Sequence, residues 1–383
     1  MTASRLPSMI ESLRLMKISW FARDHGKSQH WKNSPSSWNP PLINPDRATS
    51  RIPGLILLSL LFLSIPLASS IGAVPLPFKG ILSFLFTRSH SGLSEAQQII
   101  LLQIRLPRVV LAGLSGAGLS LSGLVFQAIF RNPMAEPYLL GVASGASLGA
   151  ALFMMLNVPL AFLSALGLTA SAFAGSLLSV FLILMLGARN RNNMSSLLLA
   201  GIAFSAIAQA GVSVLMMINR EKIERIVFWT LGSFSAATQG KSLILLILLI
   251  PSVLFILSRH RELDLLSLGH EEAHSLGINP ERVSFVLLLV SCLITATVVS
   301  VCGIIGFAGL LIPHLMRLIS GPDHRRLTGL SLMGGALLMI LSDLLARTVI
   351  APTEIPVGVL TALMGGPFFL YLLRMNIRKG QSQ

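Results

Sequence analysis

The stretch from Gln103 to Gly149 reads QIRLPRVVLAGLSGAGLSLSGLVFQAIFRNPMAEPYLLGVASGASLG. Two apolar runs flank a short polar hinge, Arg131-Asn132-Pro133-Met134-Ala135-Glu136-Pro137. Arg105 and Arg108, set around a proline, precede the first run, and a ladder of Gly141, Gly145 and Gly149 opens the second. Each run has the character of a membrane span. A lipid-embedded backbone must satisfy every N–H and C=O internally, so such a run is an α-helix of ~20 residues. Anchoring alone would not call for an Arg, an Asn and a Glu between two glycine-rich helices. Composition agrees: 53% of the 383 residues are hydrophobic, only 11% are charged, and the mean hydropathy is +0.76. Soluble domains carry about 25% charged residues, so the chain is expected to be all-α and integral to the membrane.

Working outward, ten spans are expected: 52–77, 109–130, 138–156, 160–186, 196–218, 242–257, 283–301, 304–319, 327–350 and 357–373. Residues 52–378 then form one transmembrane domain. Residues 1–51 are polar, proline-bearing and basic, and read as a disordered tail on the cytoplasmic side. With both termini cytoplasmic, about 20 of the Lys and Arg residues fall inside and about 9 outside, as the positive-inside rule asks. The net charge of +14 is therefore a membrane signal, and no soluble basic domain exists to bind nucleic acid. Arg105, Arg108 and Arg347 break the charge rule by lying at the outer ends of helices. Together with Pro107 and Asp343 they suggest a docking surface for acidic groups, with Asp343 and Arg347 four apart and able to pair. Ser94-Glu95-Ala96-Gln97 has the capping-box form that starts a helix.

Small residues recur at Gly141, Gly145 and Gly149 and again at Gly303, Gly306 and Gly309, a pattern that lets helices approach closely in lipid. Gly123-Leu124-Val125-Phe126 recurs in character as Gly309-Leu310-Leu311-Ile312, placing Arg131 opposite Arg317. Spans two to five and seven to ten enter from opposite sides, as inverted repeats of a transporter would. The external stretch 219–240 is amphipathic, and its Trp229 suits the headgroup level. The polar inner segment 259–282 holds two short amphipathic helices with glycine stops, and its apolar ridge implies a cytoplasmic partner.

Two motifs are set aside. Gly26-Lys27-Ser28 and Gly240-Lys241-Ser242 lack the glycine five residues earlier that a phosphate-binding loop requires, so ATP chemistry must come from another subunit. His270-Glu271-Glu272-Ala273-His274 matches H-E-x-x-H, the pattern of a zinc protease, but lies in a polar loop without an obvious third ligand. Cys292 and Cys302, in or at the end of one apolar run, read as buried thiols. No catalytic residue, metal site or cofactor is expected.

At this point the residues carry a family resemblance. RLPR at 105–108, the run from 122 to 149, LLLAG at 197–201, FWTLGSF at 228–234, GIIGFAGLLIPHLMRL at 303–318, SDLLAR at 342–347 and EIPVGVLTALMGGPFF at 354–369 resemble the permease subunits of ATP-binding-cassette importers for iron-siderophore complexes, haem and cobalamin. The resemblance runs from about Ile52 to the C-terminus. It implies a BtuC-like type II importer permease fold of ten helices, working as a homodimer, or with a paralogue, in the bacterial cytoplasmic (inner) membrane. It implies cytoplasmic ATPase subunits and a periplasmic or lipid-anchored substrate-binding protein. Arg105, Arg108 and Arg347 would dock that binding protein. Leu265, Leu266, Leu268, Gly269, Ala273, Leu276 and Gly277 would couple to the ATPase. Gln127, Arg131, Asn132, Met194, Ser195 and His314 would line the path and its inner gate. The expected activity is inward transfer of an iron chelate, most simply a ferric siderophore, with haem and cobalamin as alternatives; a zinc protease and a secondary transporter are the remote ones. His270 stands where the family commonly has an acidic residue. Reversing Arg105 and Arg108 to Glu is expected, on this reading, to abolish uptake without preventing insertion.

Overall fold

In a computed structural model of the chain, residues 52–72, 74–87, 92–156, 161–187 and 194–381 are described. The tail at 1–51 and the loop at 188–193 lie outside them. The described helices are α1 Ile52–Ser70, α2 Phe78–Thr87, α3 Glu95–Ile129, α4 Val142–Met155, α5 Ala161–Gly187, α6 Met194–Ile218, α7 Ile223–Thr230, α8 Gln239–Ser258, α9 His260–Leu268, α10 His270–Ser275, α11 Pro280–Cys302, α12 Ala308–Ser320, α13 His324–Ala346 and α14 Val357–Gln381. Ten of these correspond to the ten expected spans. Seven are long and apolar enough to cross a membrane; α4, α12 and the apolar part of α14 are shorter. At 1.5 Å per residue the 14 residues of α4 reach only about 21 Å, short of the ~30 Å hydrocarbon.

The bundle is built around α3. Its apolar window is 83% buried, against 17% for α6 and 22% for α1. α3 packs on α13, α11, α12 and α8. Leu121, Leu124 and Phe126 are wholly enclosed, and Ser122 donates to the Ser291 carbonyl of α11 at 3.0 Å. Lipid gives helices no hydrophobic reason to associate, so contact depends on small residues and on such hydrogen bonds. Gly123 meets the Gly309 carbonyl of α12, and Gly116 meets Gly335 of α13, with no room for a Cβ at either.

The glycine ladder of the opening stretch divides. Gly145 and Gly149 lie directly against α5 at Gly175 and Ser171, as close packing predicts. Gly141 instead takes a left-handed φ of 68° and ends the 3-10 turn Pro137–Leu140 before α4 begins. The second glycine set departs further from expectation. The span expected from Ile304 begins only at Ala308, because Gly303 has φ 76° and Phe307 has φ 66°. Residues 303–307 are thus non-helical backbone inside the bundle.

Such a segment persists in a membrane protein only where protein groups satisfy it. Tyr138, in the other helix interruption, does so. Its hydroxyl donates to the Ile305 carbonyl at 2.8 Å and accepts from the Ile305 amide at 3.3 Å. Ser233 N–H adds a bond to the Cys302 carbonyl at 2.8 Å, and Glu136 accepts from the Phe307 amide. The two interruptions therefore hold each other. Tyr138→Phe is expected to strand both Ile305 groups and destabilise the fold by about 1–3 kcal/mol. A lower melting temperature of the detergent-solubilised chain would register this, and an unchanged one would contradict it.

Candidate functional site

The two ends of the bundle carry the chemistry. At one end, the capping box starts α3 as the sequence suggests: Gln97 N–H donates to Ser94 Oγ at 3.3 Å, and Ser94 N–H to Gln97 Oε1 at 3.0 Å. The next turn, Ile100–Arg105, is π-helical. A π-bulge changes the helical phase, and here Arg105 comes to lie over the carboxyl end of α1. Its guanidinium donates to the carbonyls of Ser69 at 3.3 Å, Ile71, and Val74 at 3.0 Å. Ser69 lies in the last turn of α1, whose carbonyls a helix end leaves unpaired, and Ile71 and Val74 belong to the chain that follows it. Arg347 donates to the Ala68 carbonyl beside them. Arg108 grips Asp343 of α13 from Nε at 2.9 and 3.1 Å and from Nη2 at 2.9 Å, and reaches Glu354 at 2.9 Å. Arg347 lies 3.7 Å from the same Asp343, so the pair expected from their spacing forms.

The three arginines singled out for docking do converge, but inward. They are 6%, 8% and 8% exposed, and their guanidinium groups are engaged by carbonyls and carboxylates of this chain. They bind α1, α3, α13 and the 350–356 connection into one frame. Exposed cations at this end include Arg220 and Arg225, on the 3-10 turn Arg220–Lys222 and on α7, besides Lys79 on α2. Sequence reasoning passed over the two arginines because an amphipathic surface helix ordinarily carries charge.

At the opposite end, α9 and α10 form the expected pair of short helices. Leu263, Leu266 and Ala273 are buried, Gly269 turns the chain between them, and Leu265 is partly covered. Leu268 and Leu276 stand out at 52% and 53% exposed, with Gly277 exposed beside them. Asp264 fastens α9 to the start of α13, accepting the His324 amide at 3.0 Å and meeting His324 Nδ1 at 2.7 Å. The hinge reaches the same place. Arg131, held at φ 49° past the end of α3, brings Nη1 within 3.3 Å of where a Gly269 side chain would begin. Burial, and then the Arg131 charge, lower the pKa of His270 and favour its neutral form. Among the described residues no cluster of three or more His, Cys, Asp or Glu side chains could hold a metal, so His270 and His274 gather no third donor.

The expected path residues do not share one setting. Gln127 is buried and bridges α3 to α12, donating to the Leu310 carbonyl at 3.1 Å and accepting from Arg317 at 3.1 Å. His314 is partly covered and sits edge-on to Phe368 at 6.2 Å. Asn132 is exposed, its side chain closing a local turn on the Met134 amide at 2.9 Å. Met194 begins α6, but the side chains of Met194 and Ser195 lie outside the described residues.

Among the described residues the chain is an all-helical bundle with interrupted spans and an exposed apolar ridge at one end, a form that suits a membrane transporter. The chain belongs to the FecCD transport family, whose model matches residues 56–375. It is 41% identical over 322 residues to the hemin transport system permease of Yersinia pestis, covering 84% of this chain and 94% of that one. It is 36% identical over 342 residues to the cobalamin import system permease of Halobacterium salinarum, with 87% and 90% covered. The Fe(3+) dicitrate transport system permease of Escherichia coli is 38% identical over 309 residues, with 80% and 93% covered. Among solved structures, an ABC transporter described as of metal-chelate type, in an inward-facing conformation, superimposes with a TM-score of 0.74. It is 33% identical, with 84% of this chain and 98% of that chain covered.

Proposed function

We propose that this chain is the membrane-spanning subunit of an ATP-driven importer that carries an iron chelate inward across the bacterial cytoplasmic membrane, with both termini on the cytoplasmic side. The carrying observation is the physical continuity at the α9–α10 end. An exposed ridge of Leu268 and Leu276 is fastened through Asp264 to α13 and abuts Arg131 at the foot of α3. A push on that ridge reaches the start of α13 through the Asp264–His324 contact and the foot of α3 through the Arg131 side chain. Permease relatives for hemin and Fe(3+) dicitrate give the ligand class. ATPase subunits supply the energy from the cytoplasm. The exposed apolar faces of α6, where Leu199, Ile207 and Met217 are open, are covered by lipid and by a second permease copy. A substrate-binding protein docks at the arginine end, on the surface that Arg105, Arg108 and Arg347 support from beneath.

The test is reconstitution of the chain with its ATPase and binding protein in liposomes, followed by uptake of a ferric siderophore, hemin and cobalamin. ATP-dependent uptake of an iron chelate is expected; uptake of cobalamin alone would overturn the ligand class, and uptake driven by an ion gradient without ATP would overturn the mechanism. Within this scheme, Leu268→Asp with Leu276→Asp is expected to abolish co-purification of the ATPase while leaving the melting temperature of the permease unchanged. Retained co-purification would remove the ridge from the coupling contact.

A further inference from the structure

The arginine end also contains a cleft of about 440 Å³ that none of the expected site residues lines. It opens between α5, α7, the start of α8, the end of α11 and the 354–356 connection. Two cations face it, Arg225 from α7 and Lys241 from α8. Neither side chain has an ion-pair or hydrogen-bond partner among the described residues; the Lys241 amide donates to Thr238 Oγ1 at 3.3 Å. Glu354 also borders the cleft, with one carboxylate oxygen held by Arg108 at 2.9 Å. The electrostatic balance of the lining is therefore positive. Phe228 and Trp229 give it an aromatic wall, and the Ser233 and Ser235 hydroxyls lie at its edge. Its volume falls in the ordinary range for small-ligand sites, about 300–1,000 Å³.

We propose that this cleft is an anion-recognising subsite for the transported chelate, in which Arg225 and Lys241 receive carboxylate groups and Trp229 with Phe228 lie against the ligand body. The inference rests on the iron-chelate reading above and narrows it to chelates that bear free carboxylates. A guanidinium gives a two-pronged grip on a carboxylate, and an ammonium adds a compact point charge. A partly buried lysine without a carboxylate partner is costly, and an arriving anion removes that cost. The cleft is large enough for a small carboxylate chelate whole, or for the carboxylate arm of a larger one. A neutral chelate would leave both cations unmatched, so the site discriminates by charge.

Trp229 provides its own probe. The other tryptophans, Trp20, Trp31 and Trp38, all fall in the N-terminal tail, so Trp20→Phe, Trp31→Phe and Trp38→Phe leave Trp229 alone. The full-length variant in lipid nanodiscs is titrated with ferric citrate, with hemin and with a neutral ferric trihydroxamate. Saturable quenching by at least one carboxylate chelate is expected. Its half-saturation concentration should rise tenfold or more in Arg225→Gln and Lys241→Gln, and Lys241→Arg should restore it. The neutral chelate should respond to neither substitution. No saturable quenching by either carboxylate chelate, or the same half-saturation in the Gln variants, would overturn the subsite. Uptake by the assembled wild-type transporter tests the importer reading separately, and its failure would leave the Trp229 titration to decide the cleft.

Discussion

Arg108→Glu is expected to prevent accumulation of folded protein, and Arg108→Ala to lower its stability by about 3–5 kcal/mol. The Arg108 side chain closes two carboxylates at once, Asp343 at 2.9 Å and Glu354 at 2.9 Å. Asp343 is 1% exposed, and its other cation, Arg347, stands 3.7 Å away. Alanine leaves a buried charge with a single distant partner; glutamate adds a third carboxylate to the same space. Arg108→Lys should fall between, since one ammonium cannot reproduce the contacts of Nε, Nη1 and Nη2. Removing the buried pair together, as Arg108→Met with Asp343→Leu, should recover part of the loss, because the two apolar groups need no partner while Arg347 keeps, among the described residues, only the Ala68 carbonyl. Thermal melting by size-exclusion chromatography in detergent measures all four. Wild-type stability in Arg108→Glu would show that the network is not structural.

These outcomes change how the docking reading is tested. The sequence reading expects reversal of Arg105 and Arg108 to spare insertion and abolish uptake. With both side chains buried and internally engaged, loss of uptake in that variant would report a damaged fold. The double apolar variant separates the roles. If it is folded yet fails to bind the binding protein, Arg108 contributes to docking; if it binds normally, Arg108 only supports the surface.

Gly123→Val is expected to eliminate folded protein, and Gly123→Ala to cost about 3 kcal/mol, the upper part of the usual range for overpacking. A Cβ on Gly123 would overlap the Gly309 carbonyl, and that obstacle is backbone, which has no rotamer to change. The contact joins α3 to α12 one turn from where Gln127 bridges them. Relief would require moving α12 and with it the 303–307 segment held by Tyr138. Gly329→Ala is the control. It lies in α13 with nothing within 4 Å of an added Cβ, so alanine should be tolerated and should stabilise the helix by up to about 1 kcal/mol. Yield of monodisperse protein and its melting temperature distinguish the two; equal behaviour would contradict the close approach of α3 and α12.

Those two glycines show where sequence reading stops. Both sit in apolar runs, and nothing local separates them; only the neighbour across the interface does. The same limit explains the arginines. RLPR at a helix start, and Asp343 four residues before Arg347, were legible as a charged feature. That the α1 carbonyls and Glu354 close around them was not, because those partners are 31 to 279 positions away in the chain. Arg225 was passed over, and Lys241 weighed only in a discarded phosphate-loop match, for a related reason: each is ordinary on its own helix, and the cleft exists only where five elements meet.

By itself the sequence determined what hydrophobicity and local stereochemistry decide. Runs of ~20 apolar residues fix spans, because unpaired backbone is intolerable in hydrocarbon. The Ser94 capping box, the hinge at 131–137, the glycine-stopped helices of 259–282 and the family motifs are likewise local, and all were readable. Tertiary structure alone decided that the span expected from Ile304 starts at Ala308, that the arginines face inward, and that Arg131 meets the α9–α10 turn. Each depends on which distant carbonyl, carboxylate or backbone lies opposite, and a buried polar group takes its role from that partner.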